Sequence, residues 1–232
     1  KLFMKLFCYV GSISCILLYT FDIDNFDLGM IYYFFAVVGF WGSLVFYNSY
    51  LPDIATVDQQ DLTSAKGYSL GYLGSIILLI FCLLMTEFPD LFNISSKTHS
   101  VKISFVLVGI WWFVFSQYSF YHLPGKNHYN VDKSKLSSIS TLLSGFNQLI
   151  TVFNQLKSNR KLRIFLLSFF IFTIPTQTII LLASYFGADL NEISWKNEAT
   201  MQTGLIIAII VIQILAAVGA YLSAKFSSVL GN

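Results

Sequence analysis

The sequence predicts an all-α fold: a polytopic membrane helix bundle with six spanning helices. Two observations carry this. Apolar residues make up 56% of the chain and charged residues only 11%, against about a quarter charged in an ordinary soluble domain. The apolar residues also fall into long runs, each near the ~20 residues that a helix needs to cross about 30 Å of hydrocarbon. Within each run the apolar character goes all the way round the helix instead of forming one stripe, which suits lipid on every side.

The first run, Lys5 to Phe21, is the shortest. The second, Leu28 to Tyr50, ends where Pro52 pushes the residue before it away from α conformation. Asp53, Asp58 and Asp61 keep the following turn in water. Thr63 or Ser64 can then cap the third run, Lys66 to Thr86, by accepting a hydrogen bond from a free N–H. Gly67, Gly71 and Ser75 fall four apart in that run and, with Gly74, make a small-residue face of the kind that lets membrane helices pack closely. The fourth run is Lys102 to Tyr121, the fifth Arg163 to Phe186 and the sixth Met201 to Phe226. Between the fourth and fifth lies a long connection, Pro124 to Leu162. In it Ile139, Leu142, Leu143, Phe146, Ile150 and Phe153 recur at helical spacing, ahead of a basic stretch from Lys157 to Arg163. That pattern predicts an amphipathic helix lying in the cytoplasmic interface, its basic end against anionic headgroups.

Orientation follows from the basic residues, because Lys and Arg concentrate in cytoplasmic loops. With the first run starting inside, Lys1, Lys5, Lys66, Lys126, Lys133, Lys135, Lys157, Arg160, Lys161, Arg163 and Lys225 lie inside. Lys97, Lys102 and Lys196 lie outside, a ratio of eleven to three that the reverse topology would invert.

No Asp, Glu, Lys, Arg or His falls near the middle of any run, so these helices carry no intramembrane charge relay. The polar residues there are neutral. Tyr33, Trp41 and Asn48 in the second run, Gln177 in the fifth and Gln213 in the sixth are the candidate substrate-binding residues. Each polar group needs partners in hydrocarbon, and for any single one of them helix-to-helix hydrogen bonding is a better account than solute contact. Trp111, Trp112 and Gln117 in the fourth run suit packing, lipid or water contact. Pro175 sits mid-run among Thr173, Thr176 and Thr178, where the missing N–H frees the carbonyl of Ile171 and predicts a kink. A kink there serves either a binding site or packing.

His99, His122 and His128 share no ligand spacing, and Cys8, Cys15 and Cys82 sit singly in apolar runs, so no metal site, disulfide framework or cofactor is expected. No acid–base constellation or nucleotide fingerprint is present, which excludes the common enzyme classes. The net charge of +2 gives no nucleic-acid signal. The expected partners are a small-molecule solute, the lipid bilayer and further helices of the same chain, since the sequence reads as an internal piece of a longer protein.

The segments Phe46-Tyr47-Asn48-Ser49-Tyr50-Leu51-Pro52-Asp53-Ile54-Ala55, Ser64-Ala65-Lys66-Gly67-Tyr68 and Leu70-Gly71-Tyr72-Leu73-Gly74-Ser75 resemble the major facilitator superfamily, in its branch related to the vacuolar amino-acid effluxers. Gln177-Thr178-Ile179, Ala183-Ser184-Tyr185-Phe186-Gly187 and Gly219-Ala220-Tyr221-Leu222 are similar to it too. The resemblance implies a twelve-helix fold in two halves, with the six runs as its third to eighth helices. Residues 1–123 would be the last four helices of the first half, 124–162 a central cytoplasmic linker, and 163–232 the first two helices of the second half. It further implies secondary active efflux of an amino-acid-like solute by alternating access of the halves. The second and fifth runs would line the solute path, which favours Tyr33, Asn48 and Gln177. The sequence departs from the superfamily at Ser228-Val229, where an acidic and a basic residue are usual, and at Thr173-Ile174-Pro175-Thr176. The alternative is a non-transporting integral-membrane scaffold or assembly subunit, with the polar residues serving packing alone. Richness in Lys, Asn, Ile and Phe fits an AT-rich bacterial genome, and with it a bacterial inner membrane.

Overall fold

The computed structural model describes residues 1–124, 147, 150–157, 159–187 and 198–230. Among these every regular element is helical, and six helices are long and apolar enough to cross a membrane. They are α1 (Leu2–Leu17), α2 (Phe26–Asn48), α4 (Gln60–Glu87), α5 (Lys97–His122), α7 (Arg160–Gly187) and α8 (Glu198–Leu230). All six expected spans are present, and the chain is a multi-pass integral membrane protein. The short α3 (Leu51–Ile54) lies between α2 and α4. The helical residues 147 and 150–157 are called α6. Of the predicted amphipathic helix, Ile150 and Phe153 are helical and exposed, whereas Ile139, Leu142, Leu143 and Phe146 lie outside the described residues.

Several helix ends differ from expectation for local reasons. Pro52 does not stop the chain from coiling. It occupies the first turn of α3, where a proline's missing N–H would have had no helical partner. The third span begins at Gln60 rather than Lys66, carrying the polar residues Gln60 to Ser64 as helix beyond the apolar run. Thr63 and Ser64 therefore lie inside α4 and do not cap it. The fourth begins at Lys97, because Ser96 accepts a hydrogen bond from the His99 amide at 3.2 Å and caps the helix there.

The chain forms two compact units, Lys1–Gly125 with Gln202–Asn232, and Lys126–Met201. In the first, α1 packs along both α2 and α5. Small residues set the spacing. A Cβ on Gly39 of α2 would stand 2.5 Å from the Gly11 Cα of α1 and 2.8 Å from the Phe7 carbonyl oxygen. A Cβ on Gly109 of α5 would stand 2.6 Å from the Ser12 carbonyl oxygen. Backbones this close are what small residues at membrane helix contacts permit. Below these contacts Met4, Cys8, Tyr50 and Phe120 are buried together, with Trp112 packed against them.

At one end of this bundle the Lys1 Nζ donates to the Phe120 carbonyl at 3.4 Å. At the other, Lys102 pairs with Asp22 at 3.0 Å. α1 and α5 thus run in opposite directions, as the loop charges require. Asp22 is mostly exposed, and such pairs contribute at most about 1 kcal/mol. Replacing Lys102 by methionine is accordingly expected to leave the thermal unfolding midpoint of the purified protein within a few degrees of the parent; a larger fall would make this pair a structural tie.

α4 packs on α5 through its last turns, where the Ser100 hydroxyl donates to the Met85 carbonyl at 3.0 Å. It touches α8 at two separate points: Ser69 donates to the Ala217 carbonyl at 3.3 Å, and Thr203 donates to the Glu87 carboxylate. In the second unit Asn159 caps α7, accepting from the Leu162 amide at 3.2 Å. Phe165 and Phe172 of α7 are largely exposed, as lipid or further helices allow.

Candidate functional site

The polar candidates sort by helix. On α2, Gly29, Ala36, Gly39 and Ser43 are buried, Gly39 against Gly11 and Phe7 of α1, and at 100° per residue Trp41 and Asn48 come out on the side away from Gly39. Tyr33 and Trp41 are each about half exposed, 55% and 50%, and Asn48 is exposed. Gln177 is exposed on α7 in the second unit, and Gln213 is half-buried on α8 in the first. The α2 residues therefore share a helix and a free side, while Gln177 and Gln213 belong to separate units.

Other polar residues are consumed by packing. Gln117 accepts from the Tyr9 hydroxyl at 3.1 Å and donates to the Phe113 carbonyl at 3.1 Å, so it joins α1 to α5. Among the described residues no buried side-chain nitrogen or oxygen lacks a partner. Around Pro175, α7 runs as helix from Arg160 to Gly187. The hydroxyls of Thr176 and Thr178 donate to the carbonyls of Phe172 and Ile174 at 3.0 and 2.8 Å, which keeps those donors bonded within the helix.

A cavity of about 570 Å³ opens between α1, α2, α4 and α5. None of the five candidate solute contacts lines it, but Gly71 and Ser75 do, with Ser43, Ser116, Trp111 and Trp112. Three of its hydroxyls point home: Ser43, Ser75 and Ser116 donate to the carbonyls of Phe40, Tyr72 and Phe113, each at 2.8 Å. What remains is an apolar slot, chemically matched to an apolar helix or acyl chain more than to a polar solute. Among the described residues a Cβ at Gly71 or Gly74 would meet nothing within 4 Å, and one at Gly67 only the Tyr47 hydroxyl at 3.0 Å. Among those residues the predicted small-residue face of α4 is thus open along most of its length.

The all-helical pattern with six candidate spans fits the expected superfamily, and comparison with known proteins decides the family. The model of vacuole effluxer Atg22-like proteins matches residues 1–232, the whole chain. The chain belongs to that family. It is 27% identical over 218 residues to the uncharacterized MFS-type transporter YxiO of Bacillus subtilis strain 168, covering 94% of this chain and 48% of that protein. Shorter stretches are similar to fungal proteins: 38% identity over 53 residues with autophagy-related protein 22-1 of Aspergillus fumigatus, covering 23% of this chain and 8% of that one. Autophagy-related protein 22-2 of Aspergillus clavatus is 32% identical over 74 residues, covering 30% and 11%. The Atg22-like chain therefore spans about half the length of its bacterial relative and less of the fungal ones. No solved structure matches it significantly. Neither the family description nor the bacterial relative's name is that of an enzyme.

Sequence reasoning passed over two features of this Atg22-like bundle. One is the close packing at Gly11, Gly39 and Gly109, signalled by the Gly39–Ser43 spacing of four in α2. The other is Glu87, which joins α4 to both α5 and α8.

Proposed function

We propose that this chain is part of a secondary active transporter that exports a small, amino-acid-like solute by alternating access of two helical halves. The observation that carries the reading is the effluxer-family match over the entire chain, supported by the MFS-type relative that aligns with nearly all of it. Residues 1–123 supply four helices of one half, 124–162 the cytoplasmic linker and 163–232 two helices of the other. Solute passes between the halves, with Tyr33, Trp41 and Asn48 of α2, Gln177 of α7 and Gln213 of α8 as its contacts, and Pro175 shapes α7 beside Gln177. The slot beside Gly71 and Ser75, and the open face through Gly67 and Gly74, receive a helix of the remaining polypeptide. The membrane is a bacterial inner membrane.

The test uses the full-length protein, purified and reconstituted in liposomes. Labelled amino acids are expected to cross under an imposed gradient. Gln177→Leu is expected to lower that flux about ten-fold, the effect of one lost hydrogen bond to the solute, with yield and monodispersity unchanged. Undiminished flux would remove Gln177 from the path. Absence of flux for every amino acid, under every gradient tried, would leave the chain as a membrane scaffold.

A further inference from the structure

Where the long connection meets the fifth span, α6 reaches Lys157 and α7 begins at Arg160. The two are bonded through Asn159, whose amide donates to the Gln155 carbonyl at 3.1 Å and whose side chain accepts from the Leu162 amide. The Arg163 guanidinium braces this joint by donating to the Lys157 carbonyl at 3.4 Å. At 100° per residue, Val152, Leu156, Phe153 and Ile150 fall within about 160° on one side of α6, with Gln155, Thr151 and Asn154 on the other. Ile150, Val152 and Phe153 are about half exposed, so among the described residues little covers this apolar side. Lys157 follows on the same side, its ammonium 5.1 Å from the centre of the Phe153 ring.

From this arrangement we propose that α6 and the first turn of α7 form a binding surface for anionic phospholipid, with the apolar side of α6 laid into the bilayer interface and the basic residues on the phosphates. Lys157, Arg160, Lys161 and Arg163 put four cations into seven residues, at the mouth of a span that starts at Arg160. Among the described residues none of the four forms an ion pair. The first turn of α7 holds no acid, and the positive end of a helix dipole disfavours cations, so helix stability does not account for them. Sidedness asks for positive charge at this end, but it does not ask for an apolar side one turn away. A bilayer surface with negative headgroups answers both. Ile150 lies ten residues before Arg160. An α6 running straight out of the membrane would carry it about 15 Å into water, with the apolar side uncovered. Laid in the interface, that side is buried, and the Lys157 stem lets its ammonium reach the headgroups. The inference needs only that α7 enters the bilayer and is independent of what the protein carries.

The experiment uses the full-length protein in lipid nanodiscs, in a background without other cysteines. A nitrobenzoxadiazole label is placed on the apolar side of α6 by Val152→Cys, or on its polar side by Thr151→Cys. The discs hold phosphatidylcholine alone or with about one-third phosphatidylglycerol, and each carries some lipid with a nitroxide high on its acyl chain as quencher. In the anionic discs the Val152→Cys label is expected to be quenched and blue-shifted, while the Thr151→Cys label stays in water. Phosphatidylcholine alone, or salt high enough to cut the screening length to about 3 Å, is expected to release the Val152→Cys label. Each cation near an anionic surface contributes about five-fold to the docked population. Lys157→Gln with Lys161→Gln is therefore expected to lower the ratio of quenched to unquenched label about 25-fold, and Lys157→Arg with Lys161→Arg to keep it. No quenching in the anionic discs overturns the proposal, as does equal quenching in both lipids at any salt. Equal quenching of the two labels, or a glutamine pair that behaves like the parent, also overturns it. The lipid and salt comparisons use the parental basic residues, so they decide even where the glutamine pair does not fold. No solute is present, so lipid binding and transport fail separately.

Discussion

Replacing Gly39 by leucine is expected to abolish the folded state of the full-length protein. The first added carbon already falls 2.5 Å from the Gly11 Cα and 2.6 Å from its amide nitrogen. Both are backbone atoms of α1, so no side-chain rotation relieves the overlap. Overpacking that side chains can absorb costs about 1–3 kcal/mol; here α1 and α2 must separate, which also strips α1 from the Gly109–Ser12 contact with α5. A loss above about 4 kcal/mol follows, in the range that only gross disruption reaches. Gly39→Ala should fall between leucine and parent, since its single methyl group meets the same two atoms. Val45→Leu on the same helix is the control, because Val45 is 67% exposed in this bundle and exchanging one apolar side chain for another there should be near neutral. The measurement is the monodisperse fraction after detergent extraction, followed by thermal unfolding. A Gly39→Leu protein as monodisperse and heat-stable as the parent would show that the α1–α2 spacing is wider than the backbone geometry described here.

The spans and their alternation were legible because lipid imposes a one-dimensional rule. A run of about 20 apolar residues must cross, and its backbone must be helical to satisfy itself. Hence all six runs became helices, and errors gathered where lipid no longer decides. Gln60 to Ser64 is polar enough to read as loop yet continues α4, because a helix already formed extends at little cost. Pro52 reads as a stop yet sits in a first turn, where its chemistry does no harm. Packing was less legible. Gly67, Gly71 and Gly74 attract attention by their spacing, but spacing says only that a close contact is allowed and nothing about which helix makes it. Gly11, Gly39 and Gly109 come from three different helices, and their shared contact exists only once α1 is seated between α2 and α5. The same holds for Glu87, whose partners are ten residues away in α5 and 116 away in α8. Local pattern gives the elements; the pairing of distant residues that makes a site is three-dimensional information.

The open face of α4 provides the sharper test of the whole architecture, because its two readings predict opposite signs. Gly71 and Ser75 line an apolar slot of about 570 Å³, and a Cβ on Gly71 meets nothing within 4 Å among the described residues. If this face met lipid, the double change Gly71→Leu with Ser75→Leu would be favourable. Leucine gains about 0.3–0.6 kcal/mol on membrane-insertion scales, and replacing a helical glycine by leucine recovers most of about 1 kcal/mol of propensity. If instead a helix of the remaining polypeptide fills the slot, two isobutyl groups occupy its volume, and overpacking at each site costs about 1–3 kcal/mol. The second outcome is expected. In the full-length protein the double variant should lose several degrees in its thermal midpoint or fail to extract as a monodisperse species, while Ile77→Leu, 61% exposed on the same helix, stays at the parental value. A double variant at or above the parental midpoint would put α4 against lipid along this face. It would also remove the argument that the slot belongs to a larger bundle, since small residues facing lipid have no packing to explain them.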